Sequence, residues 1–385
     1  MPPLRFPEFT DEWEKQCLGN LGTTIIGLTY KPSDVTNDGS GIIVFRSSNI
    51  QKGIIDYSDL VRVSKKIKSN LFTQEDDILI CARNGSAKLI GKNAILEKSD
   101  ANKTFGAFMM IYRSQQNRFV KQLLETRRYV TQISENLGAR INQVTTSDFN
   151  GFEFFFPKTD EEKKKIAIFL RLIDKRIAVQ NKIIEDLKKL KSAIIEKLFA
   201  RGGDAVLISD LITQVSKRNN TDCNLPVLSV NNRLGFIRQS EQFEDRTVAS
   251  DDTSNYKVVS TDDFAFNPAR INVGSIARLK SETKGIVSPM YICFHSNDRV
   301  RPEYFEYFFE TKYFYSEMQK RLEGSVRLCL SWEGLCNISI SLPNIEQQIE
   351  IGKKISTIAA KIDLEERYLQ NLKLQKQHLL QHMFI

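Results

Sequence analysis

The sequence has no long hydrophobic run. No stretch of 18 or more apolar residues occurs among its 385 residues, which argues against a membrane-spanning helix. The N-terminal segment also lacks the apolar core of a signal peptide. We therefore expect a cytoplasmic protein with no membrane partner.

Metal-ligating residues are scarce. The six cysteines form no Cys-x-x-Cys pair, and only three histidines are present. A structural zinc site usually needs closely paired ligands, so the sequence predicts no metal site. We interpret the cysteines as reduced and mostly buried, as free cysteines generally are.

The motifs of two enzyme classes are also missing. No Gly-x-x-x-x-Gly-Lys-(Ser/Thr) phosphate loop occurs, so we expect no ATP hydrolysis by this chain. A DNA amino-methyltransferase needs a Gly-rich cofactor turn and an (Asn/Asp/Ser)-Pro-Pro-(Tyr/Phe) loop. The nearest match, Asn267-Pro268-Ala269, lacks the second proline and the aromatic residue, and we interpret it as an ordinary turn at the end of a strand. The sequence predicts no catalytic residue and no cofactor in this chain.

The sequence does contain an excess of basic residues. The formal net charge is +8 and the isoelectric point is 9.0, with 41% hydrophobic and 26% charged residues. A basic balance fits a polyanionic partner, although many basic proteins bind no nucleic acid.

Two long helical patterns lie 185 residues apart, the first from about Asp160 to Phe199 and the second from about Glu346 to Phe384. Their apolar residues recur at spacings of three, four or seven, which is typical of one apolar seam along a helix. The seam of the first comprises Ile166, Leu170, Ile173, Ile177, Ile184, Leu187, Ile194 and Leu198. The seam of the second comprises Ile351, Ile355, Ile358, Ile362, Leu369, Leu372, Leu379 and Met383.

The segments that precede the two helices are also similar. Asp76-Asp77-Ile78 resembles Asp262-Asp263-Phe264, and Glu125-Thr126-Arg127 resembles Glu310-Thr311-Lys312. Each half is therefore predicted to be a globular head followed by a helix. The predicted domains are a first recognition head (1–157), a central spacer helix (158–201), a second recognition head (202–343) and a distal spacer helix (344–385).

Short β-rich runs predict buried strands in each head. These runs are Gly41–Phe45, Ile78–Cys81, Phe108–Tyr112 and Phe152–Phe156, then Val227–Val230, Asp263–Asn267, Met290–Phe294 and Ile338–Leu342. Helices are expected over Arg118–Asn136 and Pro302–Leu322. The predicted fold class is α+β, with two strand-rich heads joined by two long antiparallel coiled-coil helices in a pseudo-twofold internal repeat.

The helix lengths suggest a spacing function. A helix of about 40 residues is about 60 Å long and needs another surface to cover its seam. Two helices with matching seams most simply cover each other. One turn of B-form DNA spans about 34 Å, so such a pair could hold two heads over separate half-sites. Because the heads differ in sequence, the expected target is bipartite and asymmetric.

Polar loop residues in each head are candidates for DNA contact, since Arg reads guanine and Asn reads adenine. Each of them could equally be a solvated loop residue or a turn-capping side chain. The candidates in the first head are Arg46, Ser48, Asn49, Arg83, Asn84, Lys88, Arg140 and Asn142. Those in the second head are Asn231, Asn232, Arg233, Arg270, Asn272, Arg278 and Arg327.

Several motifs resemble one known family, the specificity subunits of type I restriction–modification enzymes. The opening Arg5-Phe6-Pro7-Glu8-Phe9 is similar to the start of family members, and so is Phe45-Arg46-Ser47-Ser48-Asn49-Ile50. The seam helix that ends in Leu198-Phe199, and its repeat that ends in Leu379–Phe384, are similar to the family's two conserved helical regions. The resemblance covers essentially the whole chain.

The resemblance implies a set of partners. Each head would read half of a split site in double-stranded DNA. The helices would dock two modification subunits, which carry S-adenosylmethionine and methylate adenine. Two restriction subunits, which use ATP and Mg²⁺, would be optional further partners, and this chain would be non-catalytic.

Two other interpretations remain open on the residues alone. The chain could be a coiled-coil scaffold whose heads bind protein, or a self-sufficient DNA methyltransferase, which the missing motifs disfavour. A salt-dependent interaction with duplex DNA distinguishes the first alternative, because DNA binding releases many counterions.

Overall fold

A computed structural model describes residues 1–139, 142–200, 203–220, 225–232, 234–239, 253–325 and 327–385 of the chain. The chain divides into two compact units, one formed by Met1–Gln180 with Tyr368–Ile385 and the other by Asn181–Arg367. Both units combine strands with helices, which confirms the predicted α+β class. In the described ranges, no helix is both long and apolar enough to cross a membrane.

Two helices are much longer than the others. The central helix is Asp160–Phe199 and the distal helix is Ile345–Met383, each within one residue of its predicted bounds. The central helix begins with three acidic residues, which favour the positive end of the helix dipole. Each helix begins in one of the two units and ends in the other.

The head of the first unit contains two four-stranded sheets. Its strands are β1 (Glu14–Cys17), β2 (Thr23–Ile26), β3 (Val35–Thr36), β4 (Ile42–Phe45), β5 (Ile50–Gln51), β6 (Ile54–Ile55), β7 (Val61–Val63), β8 (Ile78–Cys81), β9 (Asn93–Ile95), β10 (Thr104–Phe105), β11 (Met109–Arg113) and β12 (Glu153–Phe156). One sheet has the order β2-β11-β8-β9 and the other β10-β4-β7-β3. The helices of this head are Asn117–Leu123, Arg127–Ala139 and Thr146–Asn150.

The sheet β2-β11-β8-β9 is buried on both faces. Along β8, Ile78 and Ile80 belong to one hydrophobic cluster, while Leu79 and Cys81 belong to another. This alternation follows the two-residue period of a strand. The first cluster lies between the sheet and the helices, and the second holds residues of both sheets. A strand buried in this way reads as a continuous apolar run, which is why the sequence revealed it.

The head of the second unit follows a similar plan. Its strands are β13 (Asp204–Leu207), β14 (Ile212–Val215), β15 (Val227–Asn231), β16 (Gly235–Arg238), β17 (Lys257–Ser260), β18 (Phe264–Phe266), β19 (Ile276–Arg278), β20 (Lys284–Val287), β21 (Ile292–Ser296), β22 (Leu322–Glu323), β23 (Cys329–Leu330) and β24 (Ser339–Leu342). Its short helices are Pro302–Phe308, Lys312–Lys320 and Trp332–Cys336.

The two heads share one sheet and differ in the other. The order β14-β21-β18-β19 in the second head repeats β2-β11-β8-β9 in the first. The other sheet has the order β16-β15-β20-β17, in which β20 is an inner strand, whereas its counterpart β10 lies at an edge. The duplicated halves therefore keep the sheet that packs on the helices and vary the sheet beyond it.

The two predicted single helices are each broken in the middle. In the first head, Asn117–Leu123 and Arg127–Ala139 replace the predicted Arg118–Asn136. In the second, Thr311 caps the helix Lys312–Lys320, because its side chain accepts a hydrogen bond from the amide of Phe314. The prediction of one continuous helix was wrong in both heads, since apolar periodicity continued across the break.

Within each unit the two long helices run antiparallel. In the first, Ile166 and Leu170 share a core with Leu379 and Met383, and Arg176 donates a hydrogen bond to the Tyr368 hydroxyl at 2.9 Å. In the second, Ile195 and Leu198 pack with Ile355 and Tyr307. Every seam residue that the sequence predicts is buried or half-buried.

Equivalent ion pairs join helix and head in each unit. In the first, Lys376 of the distal helix pairs with Glu125 of the head and with Asp174 of the central helix. In the second, Lys191 of the central helix pairs with Glu310 of the head at 2.7 Å. Glu310 lies 185 residues after Glu125, and Lys376 lies 185 residues after Lys191. Burial opposes the charge of Lys376, but its two carboxylate partners outweigh that effect and raise its pKa.

Two neighbouring leucines of the central helix test the energetic importance of the seam. Leu170 is fully buried, whereas Leu172 is 53% exposed. We expect Leu170→Ala to lower the free energy of unfolding by about 2–5 kcal/mol, because it leaves a cavity in the core. Leu172→Ala is the matched control and should change it by no more than about 0.5 kcal/mol. Urea denaturation followed by circular dichroism measures both, and equal midpoints would show that the seam does not carry the packing energy.

Candidate nucleic-acid interface

Most described candidate residues of the first head lie near one end of the sheet β2-β11-β8-β9. The loop that follows β8 carries Arg83, Asn84 and Lys88. Because β11 runs antiparallel to β8, the turn that precedes β11 lies at the same end. The loop after β4, which carries Arg46 and Ser48, reaches this end through its contacts with Asn84 and Lys92.

Hydrogen bonds connect these loops. The Asn84 side-chain amide donates to the Ser47 hydroxyl at 3.0 Å, and the Asn84 backbone amide donates to the Asn142 carbonyl at 3.4 Å. Asn142 in turn donates from its side chain to the Gly85 carbonyl. Arg83, Ser48 and Lys88 are exposed or half-buried. We call this group of residues, from loops 46–48, 83–88 and 142, the first polar cluster.

Asn49 does not belong to the exposed part of this cluster. It is 1% exposed, and its side-chain amide donates to the carbonyls of Asp56 and Asp59, at 3.0 and 2.7 Å. Its side-chain oxygen accepts from the Arg46 backbone amide at 2.8 Å. All of its polar side-chain groups therefore form hydrogen bonds within the loop, which favours a structural role, and contact of Asn49 with DNA stays a prediction.

A buried thiol lies beneath the first polar cluster. The Cys81 sulfur lies 3.6 Å from the Arg83 carbonyl oxygen. Burial raises the pKa of the Cys81 thiol, so it stays neutral and supports the loop by packing. The five described cysteines are free; Cys81 and Cys293 are buried and the other three are half-buried.

The second head also brings candidate residues together. The Ser275 hydroxyl donates to the Val230 carbonyl at 3.2 Å, which holds the hairpin with Asn231 and Asn232 against the loop 267–275. That loop carries Arg270 and Asn272. We call Asn231, Asn232, Arg270 and Asn272 the second polar cluster. Arg327 is exposed on the segment whose Leu330 amide donates to the Pro268 carbonyl.

Arg278 has a structural environment. It is 8% exposed, and its guanidinium pairs with Asp262, Glu303 and Glu306 at 2.8–3.0 Å. Burial opposes its charge, but the hydrogen bond with Glu303 and the charges of the other carboxylates raise its pKa. Its guanidinium already pairs with three carboxylates, which favours a structural role, and contact of Arg278 with DNA stays a prediction.

The remaining predicted residues fall into two groups. Arg140 and Arg233 lie outside the described residues. Asn267, from the sequence that partly resembles a methyltransferase loop, accepts a hydrogen bond from the Ala269 amide at 3.1 Å through its side chain. This is the geometry of an Asx turn, in line with the ordinary turn that the sequence predicts. Contact with DNA stays a prediction for the exposed and half-buried members of both clusters.

The search for polar loop residues missed an apolar one in each head. Phe108 is 59% exposed in the turn before β11, and the Arg83 guanidinium lies 5.3 Å from its ring centroid. Met290 is 60% exposed in the turn before β21, with its sulfur 3.9 Å from the Asn267 side-chain nitrogen. Both residues fall at the start of a predicted strand, where an apolar residue is expected to be buried. Their equivalent positions in the two halves of the repeat are the signal by which the sequence could have identified them.

Comparison with known proteins agrees with this organisation. Residues 10–189 match the type I restriction modification DNA specificity domain. The chain is 24% identical to the EcoKI type I specificity subunit of Escherichia coli K12, over 93% of this chain and 84% of that protein. It is 27% identical to the StySPI specificity subunit of Salmonella potsdam, over 48% of this chain and 42% of that protein.

Solved structures show the same fold. The type I restriction–modification S subunit from M. genitalium has a TM-score of 0.62 and 16% identity, over 100% of this chain and 99% of that one. A chain from a study of complex assembly and conformational transition in the type I system has a TM-score of 0.55 and 14% identity, over 97% of both chains.

The two repeated heads, each with its polar cluster, have the fold of a solved type I specificity subunit. Residues 10–189 carry the match to the specificity domain, and the chain is similar over most of its length to the specificity subunits of type I restriction–modification enzymes.

Substitution of Asn49 distinguishes a structural role from a DNA-contacting one. We expect Asn49→Ala to lower the free energy of unfolding by about 1–3 kcal/mol, because the part-buried carbonyl groups of Asp56 and Asp59 lose their hydrogen-bond donor. The matched control is Ser48→Ala, a neighbour with an accessible side chain that should change stability by no more than about 0.5 kcal/mol. Thermal and urea unfolding of both variants provide the measurement. Equal stability of the two would argue against a structural role for Asn49.

Proposed function

We propose that this chain selects a bipartite, asymmetric DNA site, with each head reading one half and the long helices fixing the gap. The observation that carries the proposal is the duplication of one sheet with a different outer sheet and different polar loops in each head. The shared sheet packs each head on the long helices in the same way, and different loops give the two heads different base preferences. The net charge of +8 supports binding to the phosphate backbone.

The proposed division of labour leaves the chemistry to other subunits. Two modification subunits bind S-adenosylmethionine and methylate adenine, while restriction subunits, where present, supply ATP- and Mg²⁺-dependent translocation and cleavage. This chain is the non-catalytic member of the complex. A cytoplasmic location follows from that role, because the DNA and the other subunits are there.

One face of the central helix supports the proposed docking. Ile168, Leu172 and Val179 are each more than half exposed on the first half of this helix, and Phe169 is 36% exposed. With Phe6, which packs edge-on against Phe169, they form what we call the apolar stripe. Basic residues border the apolar stripe: Lys164, Lys165, Lys175 and Arg176. An exposed apolar surface of this kind marks a protein–protein interface, and its basic border fits an acidic rim on a modification subunit.

Methylome sequencing tests the proposed reading of a split site. The chain is co-expressed with a cognate modification subunit in cells that lack other adenine methylation. We expect new N6-methyladenine in a motif of two specified halves separated by a fixed unspecified gap. A continuous motif, or no new methylation from an assembled complex, would contradict the proposal and favour protein-binding heads.

Matched insertions test the proposed control of the gap. Seven residues are added after Gln180 and seven after Arg367, so that both helices lengthen together and the seam keeps its heptad spacing. Seven residues add about 10 Å to a helix, so the gap should lengthen by up to about three base pairs. The same methylome measurement should find both half-site sequences unchanged. Altered half-site bases would show that the helices take part in base recognition.

Charge placed on the apolar stripe tests docking. Leu172→Lys should weaken assembly with modification subunits at least tenfold, because docking would bury its ammonium without a partner. The control is Val130→Lys, which adds the same charge at a 60% exposed position of the helix Arg127–Ala139. Native mass spectrometry gives the subunit composition, and titration gives the affinity. Unchanged assembly of the Leu172 variant would exclude the apolar stripe as the docking face.

A further inference from the structure

The turns that carry Phe108 and Met290 are equivalent in the two heads. The first, Gly106–Met109, joins β10 to β11, and the second, Ser288–Tyr291, joins β20 to β21. Each is closed in the same way, since the Met109 amide donates to the Gly106 carbonyl at 2.8 Å and the Tyr291 amide donates to the Ser288 carbonyl at 3.1 Å. In both turns the third residue carries a large apolar side chain that is about 60% exposed.

Both turns are held firmly by their surroundings. The Phe108 carbonyl accepts hydrogen bonds from the amides of Ala82 and Arg83, at 2.9 and 3.0 Å. A Cβ atom added at Gly27 would lie 2.1 Å from the Gly106 carbonyl oxygen, so the neighbouring chain packs directly against the turn. In the second head, Lys257 donates to the Tyr291 carbonyl at 2.6 Å. The exposed side chains therefore project from fixed backbone.

Each exposed side chain lies beside polar residues of its own head. Arg83, which lies over the Phe108 ring, is a member of the first polar cluster. Met290 contacts Asn267, which begins the loop with Arg270 and Asn272. A single exposed apolar residue is ordinary on a protein surface. Its recurrence at the same place in two heads of different sequence, next to the polar clusters, calls for a shared function.

We infer that Phe108 and Met290 are wedge residues, each of which inserts between stacked bases of the half-site that its head reads. Phe and Met are among the side chains that proteins use to separate base steps and kink DNA. The guanidinium of Arg83 would then face the phosphates beside the opened step. The free-energy cost of unstacking depends on which base step is opened. A wedge therefore adds sequence specificity at bases that form no hydrogen bond with the protein. The inference rests on the proposed DNA-reading function.

A walk of abasic sites through the duplex tests the wedges. The protein is the full chain in complex with its modification subunits, and the probe is a fluorescent duplex that contains the methylated motif. An abasic site removes the stacking that a wedge must break. We expect wild-type affinity to rise several-fold at one position in each half-site.

Variants assign each rise to a wedge. Phe108→Ala should abolish the rise in one half-site, and Met290→Ala should abolish it in the other. On intact duplex, Phe108→Ala should weaken binding by about fivefold to a hundredfold, the range for loss of one aromatic–base stack. Its dependence on salt concentration should stay unchanged, since no phosphate contact is removed. Val130→Ala, at an equally exposed apolar position away from the polar clusters, should match the wild type throughout.

Three outcomes would overturn the inference. The first is wild-type affinity for Phe108→Ala on intact duplex, and the second is an abasic walk without any rise. The third concerns a duplex in which one thymine is replaced by uracil. If this duplex lowers wild-type affinity as much as Phe108→Ala does, the side chain contacts a thymine methyl group in the groove and is not a wedge. If the wild-type complex bound no duplex, the proposed function would fail as well, whereas normal binding with any of these three outcomes defeats the wedges alone.

Discussion

Neither head can close its hydrophobic core with its own strands and short helices. In the first unit, the core beneath β8 and β11 is completed by Ile166 and Leu170 from the start of the central helix, and by Met383 and Phe384 from the end of the chain. In the second unit, Phe199 from the end of the central helix stacks on Tyr304, with ring centroids 4.6 Å apart. Burial of these large side chains stabilises the head and the helices together.

This constraint accounts for which parts of the duplicated chain differ. The sheet that packs on the helices is the same in both halves, because its apolar residues must match the helical surface. The outer sheet does not have to match the helical surface. Its strand order is β10-β4-β7-β3 in the first head and β16-β15-β20-β17 in the second. The polar clusters lie in loops that follow strands of both sheets. These loops can therefore change while the packing surface of the shared sheet is kept.

The sequence predicted the parts of this fold that depend on periodicity. The long helices were placed within one residue, because an apolar seam that keeps helical spacing over 40 residues fits a long helix and does not fit strands. The same periodicity hid the breaks before Arg127 and Lys312, where a threonine hydroxyl and local turns end one helix before the next. Strand positions were correct where both faces are buried, as along Ile78–Cys81.

The candidate site was predicted less well, for a physical reason. Polar residues in loops serve the fold as often as a ligand, and the sequence does not show which partner a side chain has. Asn49 and Arg278 have their partners inside the protein. Phe108 and Met290 were overlooked because each is the first residue of a strand that the sequence predicts to be buried. Only the exposed fraction of each side chain separates these cases.

The lysine–glutamate pairs carry information about the origin of the chain. Glu125 meets a lysine from the end of the distal helix, and Glu310 meets the equivalent lysine from the central helix. Each half of the sequence thus supplies the carboxylate for its own head and the lysine for the other. A chain that held only one half would carry both groups without their partners. In a dimer of two such chains, the lysine of each chain would pair with the glutamate of the other. Fusion of two identical halves would keep these ion pairs within one chain, and each head could then diverge in sequence.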